Sequence, residues 1–308
     1  MTANVVRQIF LLIILNIFSG SVTSTFNQFH PNIHLTNNPN HYIVSIQYYN
    51  FHICGGSMIR RNVVLTAGHC IYNYPIDTMT VRAGSVRFDS GGTVANVVNF
   101  VRHQNFHKDS FNRSVHDIAL LKLGKSIMRG VTIIGLFMQN EIVVPGSVGT
   151  VAGWGIMDEY NRVPNMELRV IHPYVIDKRD CSREYWLWNG VSDVTICTFL
   201  PNQSTCKGDS GGPLVVDGRQ AGIISWCRGC ARSGFPVAYT EVSSYRNWIE
   251  QNIMQLMLAP HVVTYLNPWY TGDWQLPPAY YKAIAKKRSL DKQLQEQKDH
   301  KKTRRDAT

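Results

Sequence analysis

The sequence predicts an all-β protein, and three observations carry that prediction. Short apolar runs, many alternating in polarity and rich in β-branched residues, recur from about residue 40 to about residue 240. Gly, Pro, Asn and Asp punctuate them, as turns between short strands require. Helical periodicity is scarce until the end of that region. Many short strands separated by turn signals point to a sandwich or a barrel.

In chain order, the first segment reads as a signal peptide over residues 1–24. Residues 1–8 carry one cation, Arg7, and residues 9–18 are apolar apart from Asn16. Val22 and Ser24 suit cleavage before Thr25. The apolar run is too short to span a bilayer comfortably, and no later stretch is long and apolar enough to do so. The expectation is a secreted, extracellular protein with no membrane span.

Strands are expected at residues 42–48, 63–66, 80–83, 97–101, 118–123, 148–152, 214–216, 221–226 and 237–240. Ser243 and Ser244 are placed to cap a helix. Tyr245, Trp248, Ile249, Ile253, Leu256 and Met257 share one helical face, and Pro260 ends the run. Residues 267–278 are then rich in Pro and aromatics. Residues 282–308 hold ten Lys/Arg against four Asp/Glu, so this tail supplies +6 of the formal +10 charge. It has no core-forming face and reads as a mobile extension. Its basic clusters, Lys286-Lys-Arg288 and residues 301–305, would suit an acidic glycan. A secretory leader argues against nucleic acid as a partner. The domain expectation is a leader (1–24), a folded domain (25–258) and a tail (259–308). The whole chain of 308 residues is 44% hydrophobic and 17% charged, which excludes wholesale disorder.

Seven cysteines occur, at positions 54, 70, 181, 197, 206, 227 and 230. A secreted setting makes disulfides the default, and an odd count leaves one thiol outside intrachain pairing. Cys227-Arg-Gly-Cys230 has redox-motif spacing but lacks the strand–helix context of one. Asn112-Arg-Ser and Asn202-Gln-Ser are glycosylation sequons in polar segments. No cofactor is expected. The histidines other than His69 lack zinc spacing, and residues 82–92 hold too few acids for a calcium loop.

The chemistry concentrates in Thr205-Cys-Lys-Gly-Asp-Ser-Gly-Gly-Pro213. A serine hydroxyl is a poor nucleophile until a base takes its proton and donors hold the oxyanion. Glycines around Ser210 permit a tight turn and leave room for a substrate. Thr66-Ala-Gly-His69-Cys70 follows an apolar strand and offers the base. Asp117 heads the apolar run Ile-Ala-Leu-Leu-Lys-Leu123 and offers the acid. His, Asp, Ser in that order is one of the known chain orders of the Ser-His-Asp triad.

With Cys54-Gly-Gly-Ser57, Gly153-Trp-Gly155 and Ser225-Trp226 at fitting spacings, the chain resembles the chymotrypsin-like (trypsin-like fold) serine proteases over about residues 29–258. The resemblance implies two packed antiparallel β-barrels with the active site between them and a C-terminal α-helix. It implies that Ser210 attacks the scissile carbonyl, His69 is the base and Asp117 orients it. It implies an oxyanion hole from the amides of Gly208 and Ser210, and an extended substrate paired along Ser225 and Trp226. It further implies the disulfides Cys54–Cys70, Cys181–Cys197 and Cys206–Cys230, with Cys227 outside them. The protein would then be a serine endopeptidase acting on proteins or peptides and open to protein protease inhibitors.

The same resemblance places Ser204 at the floor of the primary specificity pocket. An acid there would select Lys or Arg, so Ser204 argues against that preference. Cys227 and Val237 fall where deep pockets have glycine, which suggests an elastase-like preference for small aliphatic residues. One landmark departs from the family. No Lys or Arg lies between residues 8 and 59, and residues 26–31 read Phe-Asn-Gln-Phe-His-Pro, with no Ile-Val-Gly-Gly. Either another cleavage near residues 25–29 frees the amine that meets Asp209, or the protein is a catalytically silent homologue that binds a protein ligand in the same cleft.

Overall fold

The computed structural model describes residues 42–72, 74–156, 165–229 and 235–258. The leader, the segment around Phe29, Cys230, Pro260 and the basic tail lie outside the described residues.

Six strands close the first barrel: β1 (Ile43–Tyr48), β2 (Phe51–Arg60), β3 (Val63–Thr66), β4 (Met79–Ala83), β5 (Thr93–Arg102) and, later in the chain, β8 (Ala119–Leu123). Their order is β1-β2-β3-β8-β5-β4, with β4 returning to β1. The β1–β2 hairpin turns through Tyr49 and Asn50, both at positive φ, which matches the twist of a two-residue hairpin. Between β5 and β8 a small ladder joins β6 (His107–Lys108) to β7 (Ser114–Val115). Val44, Ile46, Met58, Val64 and Leu121 share one face of the barrel wall and have no exposed surface.

The second sheet holds β9 (Gly135–Leu136), β10 (Thr150–Gly153), β11 (Arg169–Ile171), β12 (Tyr174–Ile176), β13 (Thr195–Phe199), β14 (Pro213–Val216), β15 (Arg219–Cys227) and β16 (Val237–Glu241). Its path is β11-β10-β14-β15-β16-β13-β12, with β9 parallel to β15. The sheet curls until its ends meet. A bridge joins Val148 to Tyr174, and Gly149 N donates to Pro173 O at 2.8 Å. The architecture is therefore the expected pair of barrels. Buried polar links join the two, among them Ser57 Oγ–H donating to Gln220 Oε1 at 2.6 Å.

Two α-helices complete the fold of the described residues. Helix α1 (Lys178–Glu184) starts at Asp177, whose carboxylate accepts from Arg179 N. The Cys181–Cys197 disulfide ties it to β13. This helix is absent from the sequence reading, because seven residues present only one buried side chain, Cys181, and no period to detect. Helix α2 (Arg246–Leu258) lays Ile249, Ile253 and Leu256 on the first barrel.

Two expectations about that C-terminal helix need correction. Ser243 and Ser244 do not cap it; they lie in a 3-10 turn, Val242–Tyr245, and Ser244 Oγ–H donates to Glu241 instead. Met257 leaves the packed face and is 52% exposed.

Candidate active site

Antiparallel pairing of β3 with β8 sets Thr66 opposite Ala119. The chain leaving β3 turns at once into a 3-10 helix, Gly68–Ile71, and carries His69 over the head of β8, where Asp117 waits. Asp117 is 1% exposed. Its Oδ1 accepts from His69 N at 2.8 Å, and its Oδ2 accepts from His69 Nδ1–H at 2.7 Å and from Ser225 Oγ–H at 2.5 Å. Thr240 Oγ1–H holds the Asp117 carbonyl from the second barrel at 2.9 Å. Burial resists ionisation of this carboxyl. The His69 charge and the converging donors from His69 and Ser225 outweigh it and hold the group below the usual carboxylate range. A carboxylate on Nδ1–H fixes the tautomer that leaves the His69 Nε2 lone pair exposed for proton abstraction.

Ser210 lies in the loop before β14. Gly55 N on β2 donates to its carbonyl at 2.8 Å, so the first barrel holds the serine's backbone. The described hydrogen bonds include none between Ser210 Oγ and His69 Nε2; such bonds tighten when substrate is bound. Gly208 has φ +101° and Gly211 φ +80°, conformations that side chains rarely adopt. A Cβ on Gly211 would come within 2.6 Å of Gly55 O and collide with Thr66 Oγ1. The amides divide by position. Asp209 N, Gly211 N and Gly212 N are bonded to Cys206 O, Ile224 O and Asp209 O. Among the described residues the amides of Gly208 and Ser210 have no acceptor. Two neighbouring donors without acceptors beside a hydroxyl are what an oxyanion requires.

The Asp209 carboxyl points inward, although the residue as a whole is half-buried. It accepts from Gly155 N at 2.8 Å and Cys206 N at 2.9 Å. A Cβ on Gly153 or on Gly155 would strike it, which accounts for the Gly-Trp-Gly run. Burial raises its pKa to about 6, with the two amides and the more distant Arg169 offsetting part of the effect. No cation of the described residues pairs with it.

One residue that the sequence reading passed over completes this region. His52 is buried; its Nδ1 lies 2.9 Å from Ser45 Oγ and its Nε2 2.8 Å from Gly208 O. Burial lowers its pKa to about 4, with the Gly208 carbonyl working against that, so the ring is neutral. A neutral His52 donates from Nε2 and positions the Gly208 peptide. Its only sequence signal was its place two residues before Cys54.

The specificity residues assemble as neighbours. Cys227 and Val237 face each other across the β15–β16 ladder, and Cys227 Sγ lies 3.6 Å from Thr205 O and 3.1 Å from Gly229 O. Ser204 is half-buried and donates to Thr205 O at 2.7 Å. Strand β15 is paired with β14 as far as Ile223, and Ile224 exchanges hydrogen bonds with Gly211 and Gly212. From Ser225 onward, beside Ser210, β15 has a ladder only on its β16 side. Trp226 shows its ring on the face opposite the Cys227 thiol, by strand alternation.

The Cys54–Cys70 disulfide links β2 to the His69 turn. Cys206 is disulfide-bonded, and Cys227 keeps its thiol. Among the described residues one cluster brings together three side chains of metal-ligating kind, Cys54, His69 and Cys70, but its two sulfurs are spent on each other. Asn112 and Asn202 are exposed at positive φ in turns. No helix of the described residues is long and apolar enough to cross a membrane.

Comparison with known proteins agrees with this architecture. The family model described as trypsin matches residues 33–249. Hypodermin-B of Hypoderma lineatum is 35% identical over 211 residues, covering 68% of this chain and 81% of that protein. A vitellin-degrading protease of Bombyx mori is 35% identical over 221 residues, covering 70% and 82%. Among solved structures, neuropsin, a serine protease expressed in the limbic system of mouse brain, superposes with a TM-score of 0.63 at 26% identity, covering 70% of this chain and 95% of that one.

Proposed function

Because the chain belongs to the trypsin family of serine proteases, we propose that it is a secreted serine endopeptidase whose triad is His69, Asp117 and Ser210. The observation that carries this reading is the buried Asp117 carboxylate on His69 Nδ1–H, beside a serine flanked by two amides without acceptors.

The steps follow from that geometry. An extended peptide adds to the open edge of β15 along Ser225 and Trp226, as strand addition allows. His69 Nε2 takes the Ser210 proton while Oγ attacks the carbonyl carbon. Asp117 stabilises the imidazolium, and Gly208 N–H and Ser210 N–H receive the oxyanion. His69 then returns the proton to the leaving amine, and water repeats the sequence on the acyl-enzyme. The side-chain hydroxyls of Ser225 and Thr240 act on Asp117 alone, in a positioning role.

Ser204, Cys227 and Val237 favour a small aliphatic residue before the scissile bond. The remaining expectations complete the proposal. The leader ends at residue 24, the protease domain spans 25–258, and 259–308 form a tail that binds acidic glycans. Asn112 and Asn202 carry glycans, and Cys206 pairs with Cys230. A cleavage near residues 25–29 supplies the amine for Asp209.

A fluorophosphonate probe tests the reading on the secreted, full-length protein. Labelling of the wild type that vanishes in Ser210→Ala is expected. A folded wild type that takes no label would overturn it and leave a silent peptide-binding homologue.

A further inference from the structure

Two arginines from different loops stack on the aromatic cluster that holds Trp226. Arg113, between β6 and β7, lies over the Trp226 ring at 5.0 Å. It is locked there, because Asp109 Oδ2 accepts from both its Nε and its Nη2 at 2.7 Å and Gly190 O accepts from Nη1 at 2.6 Å. Arg228 follows Cys227 at the end of β15 and lies between two rings, 4.5 Å from Trp188 and 4.3 Å from Phe235. Trp188 and Phe235 pack in the same aromatic cluster as Trp226.

The two cations differ in what remains of them. Arg113 has spent its donors on Asp109 and Gly190. Arg228 is exposed; its backbone is bonded to Tyr185, but among the described residues its guanidinium has neither a hydrogen bond nor an acid within ion-pair distance. Stacking between rings uses the guanidinium's faces and leaves its in-plane N–H fork open, which matches a carboxylate in two-point geometry. Strand alternation adds direction. A peptide paired along Ser225–Cys227 turns every second side chain toward Trp226, the residues two and four places ahead of the scissile bond. Arg228 comes two residues after Trp226, just past the end of β15, and the rings it stacks on belong to the Trp226 cluster, so it stands beyond Trp226 along the path of the peptide. The more distant residue meets Arg228.

We infer that Arg228 is a specificity-determining residue that selects an Asp or Glu side chain four residues before the scissile bond, with the Trp188 and Phe235 rings fixing its guanidinium. The inference rests on the protease reading for the direction in which the peptide lies, and on nothing else in it.

The test is a binding titration that needs no catalysis. Fluorescein-labelled octapeptides differing only in Glu, Gln or Lys at that position are titrated by anisotropy against full-length Ser210→Ala protein. The Glu peptide should bind about tenfold tighter than the Gln peptide, the gain typical of a hydrogen-bonded charge pair, with Lys weakest. The gap should shrink in high salt, vanish when Arg228→Ala or Arg228→Gln is added, and partly survive Arg228→Lys. Equal affinities for the three peptides, or a preference untouched by either neutral replacement, would overturn the inference. A clear acid preference in a protein whose wild type takes no fluorophosphonate label would sink the protease reading and leave Arg228 as the acid-selecting group.

Discussion

Replacing Asp209 by Asn removes a charge from a site where the described residues offer amides but no cation. The magnitude follows from the carboxyl's raised pKa. Unfolded, an aspartate titrates near 3.8; in the fold, burial moves it to about 6. Between those values the folded chain keeps a proton that the unfolded chain has released. Stability from this group is therefore full below pH 3.8, falls as the pH rises through 6, and is level above. At roughly 1.4 kcal/mol for each pH unit, the loss is about 3 kcal/mol. Urea unfolding of both proteins across pH 3.5 to 7.5 isolates the effect, since every other carboxylate cancels in the difference. Asn leaves one of the two amide donors poorly matched, a fixed cost independent of pH. The stability of Asp209→Asn relative to wild type should thus climb by about 3 kcal/mol from pH 3.5 to 7. A flat difference, or one that falls by several kcal/mol as pH rises, would refute the reasoning. The falling curve has its own meaning: it is the signature of an ionised Asp209 paired with a cation, whose rupture costs about 3–5 kcal/mol. Run before and after cleavage near residues 25–29, the experiment shows whether a freed amine reaches this carboxyl.

Three further outcomes are expected. Asp117→Asn should lower kcat on the order of 10⁴-fold at pH 7 with little change in KM, because Nδ1–H loses its acceptor and the tautomer is no longer fixed; active-site-titrated kinetics check it. Gly211→Ala should cost at least about 3 kcal/mol in urea unfolding, since a Cβ meets Gly55 O and Thr66 in a backbone conformation that resists side chains. The double variant Cys227→Gly, Val237→Gly should raise kcat/KM at least about tenfold for peptides with Phe before the scissile bond, and much less for Ala. Unchanged discrimination would remove both residues from the pocket wall.

How much of this was readable beforehand depends on the kind of signal. Strands with strict apolar runs were placed closely: β3 end for end, and β8, β14 and β16 within one residue. Strand β2 is the longest miss, because Cys54-Gly-Gly-Ser57 has small residues where a strand pattern needs bulk. It is a strand because those small residues let Val64 and the Ser210 loop approach closely. Ser243 and Ser244 misled because a 3-10 turn intervenes before the helix. In the site, residue types and order identified His69, Asp117 and Ser210 as candidates. Their surroundings were not legible. Ser225 reaches Asp117 from the other barrel, and His52 reaches Gly208, through contacts between residues far apart in sequence. Local patterns carry no trace of such pairings.

The Gly55-to-Ser210 hydrogen bond has a consequence for how the chain comes to life. His69 and Asp117 meet once the first barrel's six strands close, though Ser225 and Thr240 join them only from the second barrel; the nucleophile hangs on that second barrel and is fastened only when the two meet. Contacts this distant along the chain form late in folding. A half-folded molecule therefore holds a base without a nucleophile. As a protease of the proposed kind, the chain would be harmless to its neighbours until docking of the barrels completes the site.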